Sequence, residues 1–176
     1  MNPARLESDG TVRGYASLFE RPDSGGDRVE RGAFRRSLAQ RGAAGVRMLW
    51  QHDPARPIGI WTRLTEDAVG LFAEGRLALA SGAGREAFEL VRAGAIDGLS
   101  IGFHTRRALP LRDGRARRSL VELDLWEISI VTFPMQEAAR VTQTRSAARP
   151  ARDLSVRLVE AARRLLLPPA APLALR

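Results

Sequence analysis

The sequence contains no cysteine. Disulfides, thiolate catalysis and any zinc site built on Cys are thereby excluded, and the composition suits a reducing compartment. It contains no lysine either, so all 28 basic residues are arginine. An Arg-only set points to GC-rich coding bias rather than to a dedicated binding surface. Aromatic residues make up only 6%, too few for a platform on which successive bases stack. No apolar run approaches the roughly 20 residues that span a bilayer. The N-terminal residues 1–10 are polar and lack an apolar h-region, so no signal peptide is expected.

What remains is a chain of 176 residues with a formal charge of +8. That length fits one domain plus a tail, and its apolar content reads as globular. The positive charge invites a nucleic-acid partner. Its arginines are scattered, however, with local concentrations only at Arg106–Arg118 and beyond Arg145. Attraction to acidic partners is the milder expectation.

Hydrophobic alternation predicts strands at Val12–Phe19, Val46–Gln51, Pro57–Leu64, Val69–Leu79, Leu99–Arg107 and Leu120–Phe133. Arg21–Gly26 reads as a loop, and His52-Asp53-Pro54 reads as a turn. Short helices are expected at Gly32–Gln40 and at Gly84–Ala93, the latter closed by Gly94. Leu111–Arg118 reads as a charged hairpin around Asp113-Gly114. After Gln143 the composition shifts to Ala, Arg and Pro. A domain spanning 1–144 is therefore expected, with a tail over 145–176 and an amphipathic helix at 154–167 ended by Pro168-Pro169. Two short helices cannot make the crossovers of a six-stranded parallel sheet. The expected fold is mainly β with flanking α-helices, as a closed or nearly closed β-barrel.

Few residues are equipped for chemistry. Ser100 lies in Gly98-Leu99-Ser100-Ile101-Gly102, opposite the core-facing Leu99, Ile101 and Phe103. The glycines on either side leave room for another backbone to approach the hydroxyl. The same pattern also suits a serine at a glycine-rich strand start. Of the two histidines, His104 shares the face of Ser100 but lies four residues on, about 13 Å along a strand. It is too far to serve as its base. His52 ends an apolar strand, where a partly buried imidazole stays neutral near pH 7, as a general base must. A turn-capping histidine paired with Asp53 is the plain alternative. A third group to orient an imidazole is available in Asp53, Asp97, Asp124 or Glu127. Glu127 shares one face of its strand with Ser129, while Trp126, Ile128 and Ile130 take the other. A carboxylate there needs a partner unless that face is solvated. No metal-ligand spacing, P-loop or dinucleotide fingerprint occurs, so neither cofactor nor metal is expected.

Taken in order, the motifs resemble the prohead proteases of tailed phages of the HK97 type. The blocks are Gly14-Tyr15-Ala16-Ser17-Leu18-Phe19, Asp27-Arg28-Val29-Glu30-Arg31-Gly32-Ala33-Phe34 and Met48-Leu49-Trp50-Gln51-His52-Asp53. Pro57-Ile58-Gly59, Gly70-Leu71 and Gly98–Phe103 follow, then Leu125–Thr132 with Pro134. Together they run from about residue 10 to 142. The resemblance implies a β-barrel surrounded by helices, of the herpesvirus assemblin type. It implies a serine endopeptidase that cleaves capsid-protein extensions or scaffold inside the immature procapsid. His52 then stands as the base, Ser100 as the nucleophile and Glu127 as the orienting member.

The short, Arg-only chain looks like the proteases of alphaproteobacterial gene transfer agents. Implied partners are the major capsid protein with its N-terminal extension or scaffold, and a second copy as a homodimer. Nucleic acid and membrane are not expected partners. The implied location is the procapsid interior in a bacterial host cytoplasm. The basic tail would dock in an acidic shell lining or be removed by self-cleavage. A catalytically inactive assembly factor and a nucleic-acid-binding β-barrel module are the competing functions.

Overall fold

The computed structural model describes residues 9–111, 114 and 116–141. The expected domain boundary at 144 and the tail helix at 154–167 lie outside these residues. In chain order the elements are strands Thr11–Leu18 (β1) and Asp27–Val29 (β2), helix Arg35–Arg41 (α1), and strands Arg47–Trp50 (β3), Asp53–Glu66 (β4) and Gly70–Leu77 (β5). Helix Gly82–Arg92 (α2) and strands Gly98–Pro110 (β6) and Arg118–Val131 (β7) complete them. All six expected strands and both helices form. The seventh strand, β2, falls in what the sequence presented as the flank of a loop. Its three residues pair parallel with Arg118–Leu120, and three residues are too few to show an alternation.

The strands make one sheet in the order β1-β5-β4-β3-β7-β2, with β6 on the other edge of β7. The expected closed barrel is not what forms. The sheet curls strongly into an open half-barrel, and its outer strands β1 and β6 do not pair. The chain after β7 returns through the gap and makes single bridges, Val141 to Gly14 of β1 and Arg140 to Gly98 of β6. That segment takes the place a closing ladder would need. Gly14 makes room for it, since a Cβ there would overlap the Arg140 carbonyl and lie 2.8 Å from Leu99 Cδ1.

The core fills the concave side with Trp61, Met48, Ile58, Leu71, Leu123, Leu125 and Ile128, all fully buried, and Phe34 packs onto it from the entry to α1. Three devices fix the helices. The Ser81 hydroxyl accepts the Gly84 N–H at 3.0 Å and caps α2. Gly94 follows α2 at φ +73°, a left-handed C-terminal cap as the sequence suggested. On α1, the buried Ser37 hydroxyl accepts the Leu125 N–H of β7 at 2.9 Å.

β7 is the axis of the sheet. It pairs antiparallel with β6 along one edge and parallel with both β3 and β2 along the other. Trp61 braces the β3–β7 seam from beneath, its indole N–H shared between the Arg47 and Ile128 carbonyls at 3.3 Å each. Trp61→Ala removes a fully enclosed ring and leaves both carbonyls without that donor. A stability loss of about 3–5 kcal/mol is expected, read as a fall in the urea midpoint at unchanged slope. A loss below about 1 kcal/mol would show that the seam does not rest on this residue.

Candidate active site

The site is built where β3 ends beside β7. Their parallel register sets Arg47 against Glu127, Leu49 against Ser129 and Trp50 against Ile130. The chain then turns back sharply. The expected turn at His52-Asp53-Pro54 sits one residue earlier, because Asp53 already pairs with Trp50 and begins β4. Gln51 and His52 are the two loop residues, at φ +54° and +62°. A two-residue hairpin loop of this kind needs positive φ at both positions and normally uses Asn or Gly. For Gln and His the conformation costs about 1–2 kcal/mol per residue. Hydrogen bonds from β7 hold it. The Gln51 N–H reaches the Ile130 carbonyl at 3.0 Å, and the Gln51 amide exchanges bonds with the Thr132 hydroxyl at 2.8 Å and the Thr132 N–H at 3.1 Å. The His52 N–H donates to the Ser129 hydroxyl at 3.1 Å.

The turn swings the His52 ring over Glu127. Nδ1 lies 2.6 Å from Glu127 Oε1, and Glu127 Oε2 accepts the Ser129 hydroxyl at 2.6 Å. Both carboxylate oxygens are engaged, which is what a carboxylate only 13% exposed requires. With Oε1 accepting, Nδ1 carries the proton and Nε2 is left as the free acceptor. The hydrogen bond to Glu127 and, to a lesser degree, the charge of that carboxylate raise the His52 pKa above the ordinary 6.5, against an opposing effect of burial. Burial acts in the direction the sequence suggested, toward the neutral ring, but the carboxylate outweighs it.

Ser100 enters from the other edge of β7, directly opposite Ser129 in the antiparallel register. It is 4% exposed. Its hydroxyl makes no hydrogen bond among the described residues, yet it is not sealed from solvent. Cross-strand Cβ atoms lie about 4.5–5.5 Å apart. The nucleophile candidate is thus one lateral step from the residue that holds His52. A cavity of about 120 Å³ adjoins it, lined in part by Ala16, Asp27, Leu99, Phe103 and Met135. A larger one of about 460 Å³ lies between α1 and β7. It is walled by Arg36, Arg106, Glu122 and Asp124, whose charges pair largely with one another.

Several sequence readings change here. The room beside Ser100 is already occupied. A Cβ on Gly102 would overlap Glu127 Oε1 and lie 2.7 Å from its Cδ, and one on Gly98 would meet Pro134 Cδ at 2.8 Å. Gly102 therefore admits the Glu127 carboxylate rather than an approaching backbone. Trp126 does not join Ile128 and Ile130 in the core. The register passes from Gly102–Glu127 to Phe103–Leu125, so Trp126 is the extra residue of a bulge and is 46% exposed. Its ring lies 4.1 Å from the Arg41 guanidinium and 5.4 Å from the His104 ring.

The remaining carboxylates are spoken for elsewhere. Asp124 pairs with Arg41 and Arg106, which lower its pKa. Asp97 pairs with Arg140, and Asp53 accepts the Ala55 N–H at 2.8 Å. Sequence reasoning did not single out Ser129 or the Gln51–Thr132 clamp. The i, i+2 spacing of Glu127 and Ser129 was the available signal. Among the described residues no group of three or more His, Asp or Glu is placed to hold a metal ion.

An imidazole oriented by a carboxylate on one edge of β7, with a buried serine of uncommitted hydroxyl on the other, supplies the groups that nucleophilic acyl transfer uses. Here it sits on a curled β-sheet with two helices. Residues 2–152 match the caudovirus prohead serine proteases, and the chain belongs to that family. It is 32% identical over 140 residues to the prohead protease of Enterobacteria phage HK97. That match takes in 78% of this chain and 61% of the relative, so the chain spans under two thirds of the relative's length. In fold it is similar to the bacteriophage T4 capsid assembly protease, with TM-score 0.53 and 14% identity over 70% of this chain and 82% of the other. A KSHV protease bound to a hexapeptide phosphonate inhibitor scores 0.48 at 14% identity, over 92% and 82% of the two chains.

Three outcomes test this geometry. The His52 ring protons should titrate by NMR with a midpoint above 6.5. In Glu127→Gln the midpoint should fall, since the group that favours the imidazolium is gone while burial still opposes it; an unchanged midpoint would break the pairing. Gly102→Ala should expel the carboxylate and lower the His52 midpoint in the same direction, even though Gly102 itself touches no imidazole atom.

Proposed function

We propose that the chain is a serine endopeptidase that trims capsid-protein extensions or scaffold during assembly of a phage-like particle. The observation that supports it most is the 2.6 Å His52–Glu127 pair, whose turn is held at the His52 N–H by Ser129, the residue directly across from Ser100 and its free hydroxyl. In this reading Ser100 Oγ attacks the scissile carbonyl carbon while His52 Nε2 takes its proton. Glu127 keeps the Nδ1–H tautomer and stabilises the imidazolium that forms. The tetrahedral centre then collapses, the C–N bond breaks, and His52 returns the proton to the leaving amine. Water repeats the sequence on the acyl-enzyme. Because the base must be neutral and Glu127 favours the charged form, activity rises with pH through a midpoint above 6.5.

The substrate in this reading is the major capsid protein, through its N-terminal extension or an attached scaffold segment, and the place of action is the procapsid interior. The cavity beside Ser100 suits one small or medium side chain of that substrate. A homodimer and a kinship with gene transfer agent proteases belong to the same proposal, the latter supported by the Arg-only composition. Co-expression with the capsid protein supplies the test. Ser100→Ala should leave the capsid protein at full length by mass spectrometry, while the unaltered chain shortens it. Normal trimming by Ser100→Ala would overturn the assignment.

A further inference from the structure

We propose that Ser129 is a positioning residue that locks the His52 turn and the Glu127 carboxylate into one unit and so sets where the free imidazole nitrogen points. The proposal rests on the reading of Ser100, His52 and Glu127 given above and adds a fourth member that never touches the substrate.

Two serines face each other across β6 and β7, Ser100 and Ser129, and their hydroxyls differ in one respect. That of Ser129 is fully spent. Its proton goes to Glu127 Oε2 at 2.6 Å, and it accepts the His52 N–H at 3.1 Å. A hydroxyl that donates to a carboxylate has no proton left to give an imidazole. Ser129 is thereby excluded as the nucleophile and defined as a link. One end of the link holds the backbone of a histidine at φ +62°, a conformation that relaxes unless it is tied down. The other end stops the Glu127 carboxylate from rotating about its last torsion, which would carry Oε1 away from Nδ1. Ser129 is 0% exposed. Bulk solvent therefore does not compete for either bond in the parent protein. Gln51 and Thr132 steady the same turn from outside. Among the described residues, Ser129 alone hydrogen-bonds both the His52 backbone and the Glu127 carboxylate.

The test uses the full chain and a fluorophosphonate probe, which reports on activation of the serine without a known substrate. Labelling is followed to saturation to separate the maximal rate from the half-saturating concentration. The low-field Nδ1 proton of His52 is recorded by NMR on the same samples. Ser129→Ala should lower the maximal labelling rate about tenfold or more, leave the half-saturating concentration within about twofold, and abolish the low-field resonance. Ser129→Cys has similar bulk but donates only weakly. It should fold as the parent does and show the same losses, so it decides the matter if the alanine variant fails to fold. A folded variant of either kind that labels at the parent rate with the resonance intact would overturn the proposal. Ser100→Ala separates this from failure of the underlying reading. If Ser100→Ala still labels, the nucleophile is misassigned whatever Ser129 does. If it does not label and the Ser129 variants behave like the parent, only the positioning role falls.

Discussion

A carboxylate in the middle of a sheet strand loses most of its hydration, and hydrogen bonds have to make good that loss. Glu127 meets the requirement with an imidazole on one oxygen and a hydroxyl on the other. Much of the surrounding architecture follows from it. Gly102 has no side chain because the carboxylate occupies that space. The β3–β4 hairpin turns within two residues because its second loop residue must come back over β7. Beyond Glu127 toward the start of β7, the bulge at Trp126 shifts the ladder to β6 by one residue. Removing the charge would relieve the burial, but it would also leave the imidazole without an orienting partner.

The electrostatics of the pair run against a simple expectation. Burial alone would favour a neutral ring, ready to accept a proton. The adjacent carboxylate outweighs burial and favours the charged ring. Such a site is strongest at stabilising the imidazolium once the proton has moved, which is the state a developing transition state needs. In the proposed mechanism the trade is a base that is fully available only at somewhat higher pH.

The strands with clear alternation were legible, and so were both helices, because burial on one face writes a period into the sequence. His52, Ser100 and Glu127 were legible as candidates. Their mutual geometry was not, because it depends on registers between strands far apart in the chain. What escaped is instructive. β2 is too short to carry a period. The turn at Gln51-His52 contains neither Gly nor Asn, so no turn chemistry announced it, and its stability comes from β7. Trp126 broke the alternation because a bulge inserts one residue without any local mark. The open sheet was missed because Ala139–Val141 fills the gap with single bridges rather than with a strand. In each case a partner distant in sequence overrode the local signal.

The topology also bears on when the site comes into existence. His52 and Ser100 are each placed by β7, one from either edge, and β7 is the last strand of the sheet in chain order. The first hundred residues contain both Ser100 and His52, and the strand that pairs with β6 on one edge and β3 on the other comes after them. The geometry of the candidate site is therefore a readout of the finished sheet: until β7 is in place, Ser100 and the His52 turn share no strand that holds them together.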